Sequence, residues 1–365
     1  MRTIRQPALA AAISVVAFAA AGTAFAQERA FPEPERDFYV IENFAFENGS
    51  VLPEMTVSYL TIGNPENPPV LITHGTTGQA EGMLGDPFAG NLYGTGQPLD
   101  AEKYFLILVD AIGAGQSSKP SDGLRTDFPE QTLMDMVNAQ KMLLEDHLGI
   151  DRLHLKIGFS MGGMLTWTWL TEYPDFMDGG VPIASLPGPM AGRNWMMRRM
   201  VIDAVRDDPA WNGGDYDEQP PMLQYMSAWF GIATSNGNLR LQEIGATREQ
   251  ADAFVDDRKA KTTVGDANDV MYMWNASRNF DPTPKLGEIE ARVLVILSQD
   301  DERNPVELPM LEQNMALIPD AELYIVPEDA ETRGHGTTYN AGYYADVLGA
   351  WMKTLPNAPE GLEQE

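Results

Sequence analysis

The pentapeptide Gly158-Phe159-Ser160-Met161-Gly162 constrains this chain more than any other stretch. It follows an apolar run, "LHLKIGF" (153–159), and opens a helical pattern, "GGMLTWTWLTEY" (162–173). A serine between strand and helix, with glycine two residues to either side, matches G-x-S-x-G. So sharp a turn forces the serine backbone into strain. Side chains two residues before and after it would collide with the adjoining strand and helix, and glycine avoids the collision. The turn lifts the hydroxyl above the C-terminal edge of a sheet and sets it at a helix N-terminus. There the backbone amide of Met161 can face a developing oxyanion. The plainer reading is an ordinary glycine-rich turn, and the strand-turn-helix context weighs against it.

The surroundings fit that context. From Asp37 to about Leu186, short apolar runs alternate with helical patterns, as in parallel α/β proteins. "PPVLITH" (68–74), "YFLILVD" (104–110) and "GGVPIA" (179–184) read as buried strands, and "TLMDMVNAQKMLLEDHLG" (132–149) as a helix stopped by Gly149. The order β-α-β-α-β predicts a right-handed parallel sheet. Between 187 and 279 the pattern changes to methionine- and tryptophan-rich helical segments with no strand run. Strands resume with "RVLVILS" (292–298) and "AELYIVP" (321–327), and "YNAGYYADVLGAWMKT" (339–354) reads as a closing helix. The predicted fold class is therefore α/β, with a mostly parallel sheet flanked by helices. Its core falls in two parts, 27–186 and 280–356, around a helical insertion at 187–279, and 357–365 forms a polar tail. No internal repeat is evident.

The first 26 residues read as an export signal, not as part of the fold. Arg2 and Arg5 give a basic start, Ala8 to about Ala21 an apolar run, and Ala24-Phe25-Ala26 a cleavage site before Gln27. The alternative is an uncleaved membrane anchor. Beyond this segment no apolar run is long enough to span a bilayer, so no stable insertion is expected after signal removal and the mature protein is expected in the periplasm or outside the cell. The chain has no cysteine, which excludes disulfides, a thiol nucleophile, thiolate metal sites and lipoprotein attachment. Its formal charge of −28 repels phosphate backbones and argues against nucleic acid as a partner.

A nucleophilic serine needs a base, and with a G-x-S-x-G turn the chain order is serine, acid, histidine. His74, His147 and His154 precede Ser160, which leaves His335 in the glycine-flanked "RGHGTT" (333–338). The acid is expected after the penultimate strand, where "VLVILSQDDERNP" offers Asp301, the preferred candidate, and Asp300, its rival. Glu302 and Arg303 read as a local ion pair. A second oxyanion donor is expected in the loop after the first buried strand, "HGTTG" (74–78), with the Thr76 amide as candidate and His74 bracing the loop. "GAGQSS" (113–118) lacks the Gly-Lys-Ser/Thr of a phosphate loop and reads as a turn above the active site. No histidine lies near the acidic cluster at 300–302, so no metal is expected there, and no cofactor is implied.

With these residues in hand, the chain resembles the α/β-hydrolase superfamily and, within it, the homoserine O-acetyltransferase-like family. The likeness runs from about Val57 to Thr354. It rests on "HGTTG", "GTGQPLDAEKYFLILVD", "FSMGGM" with "YPD" ten residues on, and "VRDDPAWNGGDY" (205–216) opening the insertion. The resemblance implies an α/β-hydrolase fold with the insertion as a lid, which in relatives also carries a dimer interface. It assigns Ser160, Asp301 and His335 the triad roles and Thr76 and Met161 the oxyanion amides. The chain also departs from the family. Gly336 stands where the acetyltransferases have an aspartate that helps bind the ammonium group of the amino acid. Phe159 stands where they usually have glycine.

The expected function is that of an exported serine esterase acting on a small-molecule ester through an acyl-enzyme. The alternative is an O-acyltransferase of homoserine O-acetyltransferase type, moving an acyl group from a thioester to an alcohol. A non-catalytic binding module is the third reading, and the intact set of catalytic residue types speaks against it.

Overall fold

The structure is a computed structural model that describes residues 30–357. The export signal expected at 1–26 and almost all of the tail expected at 357–365 lie outside the described residues. Eight strands form one sheet: β1 (Glu35–Ala45), β2 (Val51–Ile62), β3 (Pro69–Thr73), β4 (Phe105–Val109), β5 (Leu153–Phe159), β6 (Met177–Ile183), β7 (Arg292–Ser298) and β8 (Ala321–Val326). Their spatial order is β1-β2-β4-β3-β5-β6-β7-β8. From β4 to β8 every neighbouring pair is parallel, whereas β1 pairs antiparallel with β2, and β2 with β4.

The antiparallel start corrects the expectation of a parallel α/β pattern from Asp37. Its period-2 signal is weak for a local reason. Asn43 adopts a left-handed φ of 53° opposite Pro53, which has no N–H to give the ladder. Farther in, alternation is clean. Phe105, Ile107 and Val109 of β4 face one core, while Leu106 and Leu108 face the other. β7 divides the same way, with Val293, Val295 and Leu297 opposite Leu294 and Ile296. Buried on both faces, such strands read as continuous apolar runs.

Helices α1 (Leu133–Met142) and α2 (Met161–Glu172) cover the first face, with Trp167 and Trp169 of α2 fully buried. The other face is covered by α9 (Ala345–Met352), which buries Leu348 and Trp351. The closing helix is shorter than 339–354. Residues 334–339 and 341–343 form two tight 3₁₀ turns, and between them the Asn340 side chain accepts from the Gly342 N–H. α8 (Pro309–Met315) joins β7 to β8.

Between β6 and β7 the chain carries α3 (Gly192–Arg206), α4 (Pro221–Thr234), α5 (Asn238–Ile244), α6 (Arg248–Lys261) and α7 (Ala267–Asn275). These helices pack over the C-terminal ends of the parallel strands, α3 against both α4 and α7. Among the described residues no helix is long and apolar enough to cross a membrane.

Candidate active site

Four loops at the C-terminal ends of β3, β5, β7 and β8 converge beneath the helical block, where open α/β sheets bind ligands. Ser160 lies between β5 and α2 with φ 57° and ψ −110°, a strained conformation for a residue with a side chain. The packing around it explains both glycines. A Cβ on Gly158 would sit 2.3 Å from the Gly162 carbonyl oxygen, and one on Gly162 would sit 2.1 Å from that of Thr73. The Ser160 N–H donates to the Ile183 carbonyl of β6 at 2.8 Å, which ties the strained turn to the sheet.

His335 stands in the 3₁₀ turn after β8, buried at 4% exposure. Its Nε2 is 2.8 Å from Ser160 Oγ and its Nδ1 is 2.8 Å from Asp301 Oδ2. The histidine thus bridges hydroxyl and carboxylate. Asp301, in the loop after β7, is held on all sides. Its Oδ1 accepts from the Arg303 and Asn304 amides, at 2.8 and 3.1 Å, and its Oδ2 accepts from Asn304 Nδ2 at 2.9 Å. Burial alone would push this carboxyl up. The facing His335, the Asn304 side chain and the Arg303 amide outweigh it and hold the pKa below the ordinary aspartate value. Burial also lowers the His335 pKa, aided by the Arg303 charge and opposed by Asp301, so the ring is neutral near pH 7.

The neighbouring acids have other work. Asp300 turns away from the histidine ring and holds its loop, accepting from the Gly334 N–H at 2.7 Å and from the hydroxyls of Ser298 and Thr337. Glu302 does not pair with Arg303, contrary to expectation. Its two oxygens accept from the backbone N–H groups of Gly237 and His335, each at 3.1 Å, which joins the histidine loop to the start of α5. Arg303 turns the other way, its guanidinium 4.4 Å over the Phe230 ring. Local charge order in "DDERNP" suggested an ion pair, but the backbone amides needed acceptors more.

Met161 is the first residue of α2, where helix geometry leaves the N–H without an intrahelical acceptor. Thr76 is buried in the loop after β3 and, like Ser160, lines the same cavity. His74 braces that loop. Its Nε2 accepts from the Ala111 N–H at 3.1 Å, so Nδ1 carries the proton and donates to the Gly75 carbonyl at 2.8 Å. Burial lowers its pKa, consistent with this neutral tautomer.

Two residues near the site were not singled out from the sequence. Asn304 donates to both Asp301 and the Ala184 carbonyl and lies 3.3 Å from His335 Nδ1; its spacing, three residues past Asp301, is the only local cue. Arg198 of α3 is fully buried, reaches Thr76 Oγ1 and Ser277 Oγ at 3.4 and 3.2 Å, and stacks 4.8 Å over Trp274. Nothing in the local sequence marks it. Among the described residues no three His, Cys, Asp or Glu side chains converge to hold a metal ion. A serine hydroxyl bonded to a neutral imidazole, itself bonded to a buried carboxylate, can carry out acyl transfer.

A family model described as alpha/beta hydrolase fold matches residues 68–331, more than half of the chain. The chain belongs to the α/β-hydrolase family. Within it the chain is homoserine O-acetyltransferase-like. It is 33% identical over 324 residues to a homoserine O-acetyltransferase of Haemophilus influenzae, covering 77% of this chain and 88% of that one. It is also 28% identical over 320 residues to a probable acyltransferase of Methanothermobacter thermautotrophicus, covering 85% and 95%. Solved α/β-hydrolase structures share its fold. A homoserine O-acetyltransferase from Bacillus anthracis superposes with a TM-score of 0.76 at 22% identity, over 90% of this chain and 100% of that one. An acetylester hydrolase from Corynebacterium glutamicum gives 0.75 at 23% identity, over 88% and 96%. This α/β-hydrolase is therefore an enzyme of the hydrolase and acyltransferase kind.

Proposed function

We propose that this α/β-hydrolase is a serine acyltransferase that passes an acyl group through Ser160 to an alcohol. The observation that carries the reading is the continuous contact from Ser160 Oγ through His335 to Asp301, with both bonds at 2.8 Å. His335 Nε2 takes the hydroxyl proton as Ser160 Oγ attacks the acyl carbonyl of an ester or thioester. The tetrahedral oxyanion faces the amides of Thr76 and Met161, each such donor being worth about 3 kcal/mol. Collapse breaks the bond to the leaving alcohol or thiol, which takes the proton from His335. The acceptor hydroxyl then gives its proton to His335 and attacks the acyl-enzyme, restoring free Ser160. Asp301 keeps the imidazole in the working tautomer and stabilises its cation. The sequence similarity to acyltransferases supports an alcohol as acceptor.

Hydrolysis, with water as acceptor, is the second reading, and a specific feature favours it. Gly336 lines the cavity where the family's acetyltransferases carry an aspartate, and among the described residues no Asp or Glu lines it. An amino-acid acceptor would find no counter-charge for its ammonium group.

The test is release of p-nitrophenol from p-nitrophenyl acetate, and of thiol from acetyl-CoA, by the purified protein and its Ser160→Ala variant, with and without homoserine or simple alcohols. Ser160-dependent release that an alcohol accelerates supports transfer. Release indifferent to every alcohol supports hydrolysis, and release indifferent to Ser160 overturns both. Residues 1–26 are proposed as an export signal. N-terminal sequencing of protein recovered from cells is expected to begin at Gln27, and a start at Met1 overturns the proposal.

A further inference from the structure

Lysines toward the surface of this chain sit against carboxylates: Lys119 pairs with Asp122, Lys141 with Glu145 and Lys285 with Glu172. Lys156 does not. It lies within β5, wholly screened from solvent, and among the described residues it bonds to no carboxylate. Its strand neighbours Leu155 and Ile157 face one core, so its side chain enters the other, where Leu71 opposite it also lies. Burial lowers the pKa of the amine well below the ordinary lysine value, with no facing carboxylate to oppose it. A buried amine of this kind costs stability, and a methionine would fill the same space without that cost.

What the amine touches lies directly under the Ser160 turn. Lys156 Nζ donates to Thr73 Oγ1 at 2.6 Å and to the Ile157 carbonyl at 3.2 Å. The register of β3 and β5 explains the reach. Lys156 stands opposite Leu71, and Gly158 stands opposite Thr73. A Cβ on Gly158 would sit 2.4 Å from Thr73 Oγ1, so the glycine leaves that space open and the lysine stem crosses diagonally into it. The Thr73 hydroxyl has one proton. Since it accepts from Lys156, that proton goes to the Gly162 carbonyl, at 3.2 Å. Thr73 ends β3, three residues before Thr76, and Gly162 follows Met161 in the first turn of α2. The hydroxyl therefore spans the two segments that carry the Thr76 and Met161 amides.

We infer that Lys156 and Thr73 are positioning residues for acyl transfer: the amine orients the Thr73 hydroxyl, and the hydroxyl fixes the spacing between the loop after β3 and the first turn of α2. That spacing sets how far apart the two amides facing the oxyanion stand. The inference rests on the acyl-enzyme reading above and adds to it two residues that do not touch the substrate. A donor stabilises the oxyanion only at hydrogen-bond distance from where the charge develops, so slack between the two segments is felt more in the transition state than in the ground state. The amine thus lowers stability and raises rate, and the two effects are measured separately.

The test uses three variants of the purified protein. Thr73→Val keeps the shape and loses the hydroxyl, Thr73→Ser keeps the hydroxyl, and Lys156→Met keeps the stem and loses the amine. With p-nitrophenyl acetate, the valine and methionine variants are expected to lower kcat and kcat/KM together, by about tenfold. Joined in one protein, they are expected to lose no more than the larger single loss, since both cut one chain of bonds. The serine variant is expected to recover most of the rate. The melting midpoint of Lys156→Met is expected to equal or exceed that of wild type. A midpoint that falls together with the rate marks Lys156 as structural and overturns its part. Unchanged rates in the valine and methionine variants, or a loss that serine does not recover, overturn the inference. If turnover needs Ser160 and these variants leave it unchanged, the inference fails alone. If turnover does not need Ser160, hydrogen–deuterium exchange over 74–78 and 160–164 decides. Faster exchange in the valine and methionine variants than in wild type and the serine variant supports the spacing role, and equal exchange in all four overturns it.

Discussion

The floor and the lid of the cavity over Ser160 treat charge in opposite ways. In the floor, Asp300, Asp301 and Glu302 are consecutive, buried and fully engaged. Between them they accept from the backbone N–H groups of Gly237, Arg303, Asn304, Gly334 and His335. In the lid, Arg198, Arg240 and Arg258 pair with no carboxylate among the described residues; they donate to neutral oxygens, and Arg198 and Arg258 also lie over the Trp274 and Phe254 rings. A buried charge whose partners are all within the chain holds one geometry, and the partly exposed Arg240 and Arg258 are under no such constraint. The floor is built to keep a hydroxyl, a ring and a carboxylate in line.

The largest test of the comparison is Ser160→Ala. It is expected to reduce acyl transfer by up to about six orders of magnitude while leaving the thermal midpoint near that of wild type, since the turn keeps its glycines. A large fall in midpoint would mean that Ser160 is chiefly structural.

Next come the adjacent aspartates. Asp301→Asn is expected to lower kcat about 10⁴-fold, because an amide cannot hold His335 in the right tautomer. Asp300→Asn removes no contact to the ring and is expected to cost stability more than rate. Equal kinetic losses would erase the distinction between them.

The floor also predicts tight backbone packing. Gly162→Ala is expected to lose about 2–4 kcal/mol of stability, because its Cβ would press on the Thr73 carbonyl at 2.1 Å. Gly336→Ala, whose nearest neighbour would be 3.8 Å away, is expected to change stability by less than about 0.5 kcal/mol. Denaturant melts of both variants separate the rigid position from the open one.

A smaller effect concerns pH. The His335 pKa is lowered by burial, so the neutral base persists below the ordinary value of 6.5. Transfer is expected to fall as pH drops through that lowered pKa and to be flat at pH 7. Protonation also opposes folding, so stability bound up with this residue declines from about pH 6.5 downward. An acid limb centred above 6.5 in the kcat/KM profile would contradict the buried, arginine-flanked setting. The smallest expected change comes from Gly336→Asp. It places a carboxylate on the cavity wall beside Arg333 and is expected to change the response to homoserine by a few-fold, read from p-nitrophenyl acetate turnover with and without it.

Much of the floor was legible in the sequence because its signals are local. Gly158 and Gly162 announce a turn that no larger residue tolerates, and the apolar runs of β3 to β7 announce strands buried on both faces. His335 followed from elimination, since only one histidine comes after Ser160. The hairpin of β1 and β2 was not legible, because Asn43 and Pro53 interrupt the alternation that marks a strand.

The choice between Asp300 and Asp301 was open for a different reason. Both sit on one short loop, and composition carries no record of side-chain direction. The structure turns Asp301 toward Nδ1 of His335 and Asp300 toward the Gly334 amide. It likewise gives Glu302 to backbone amides, against the ion pair that sequence adjacency suggested. The lid was the least readable part. Arg198, Arg240, Arg258, Arg303 and Arg333 come from three helices and two loops spread over 136 positions, and each alone looks like an ordinary polar residue. Local chemistry and chain order determined the kind of reaction centre this protein builds, because strain, turn and periodicity act between near neighbours. Which carboxylate serves it, and which side chains of the lid gather over it, only tertiary packing decided, because both depend on residues that meet in space and never in sequence.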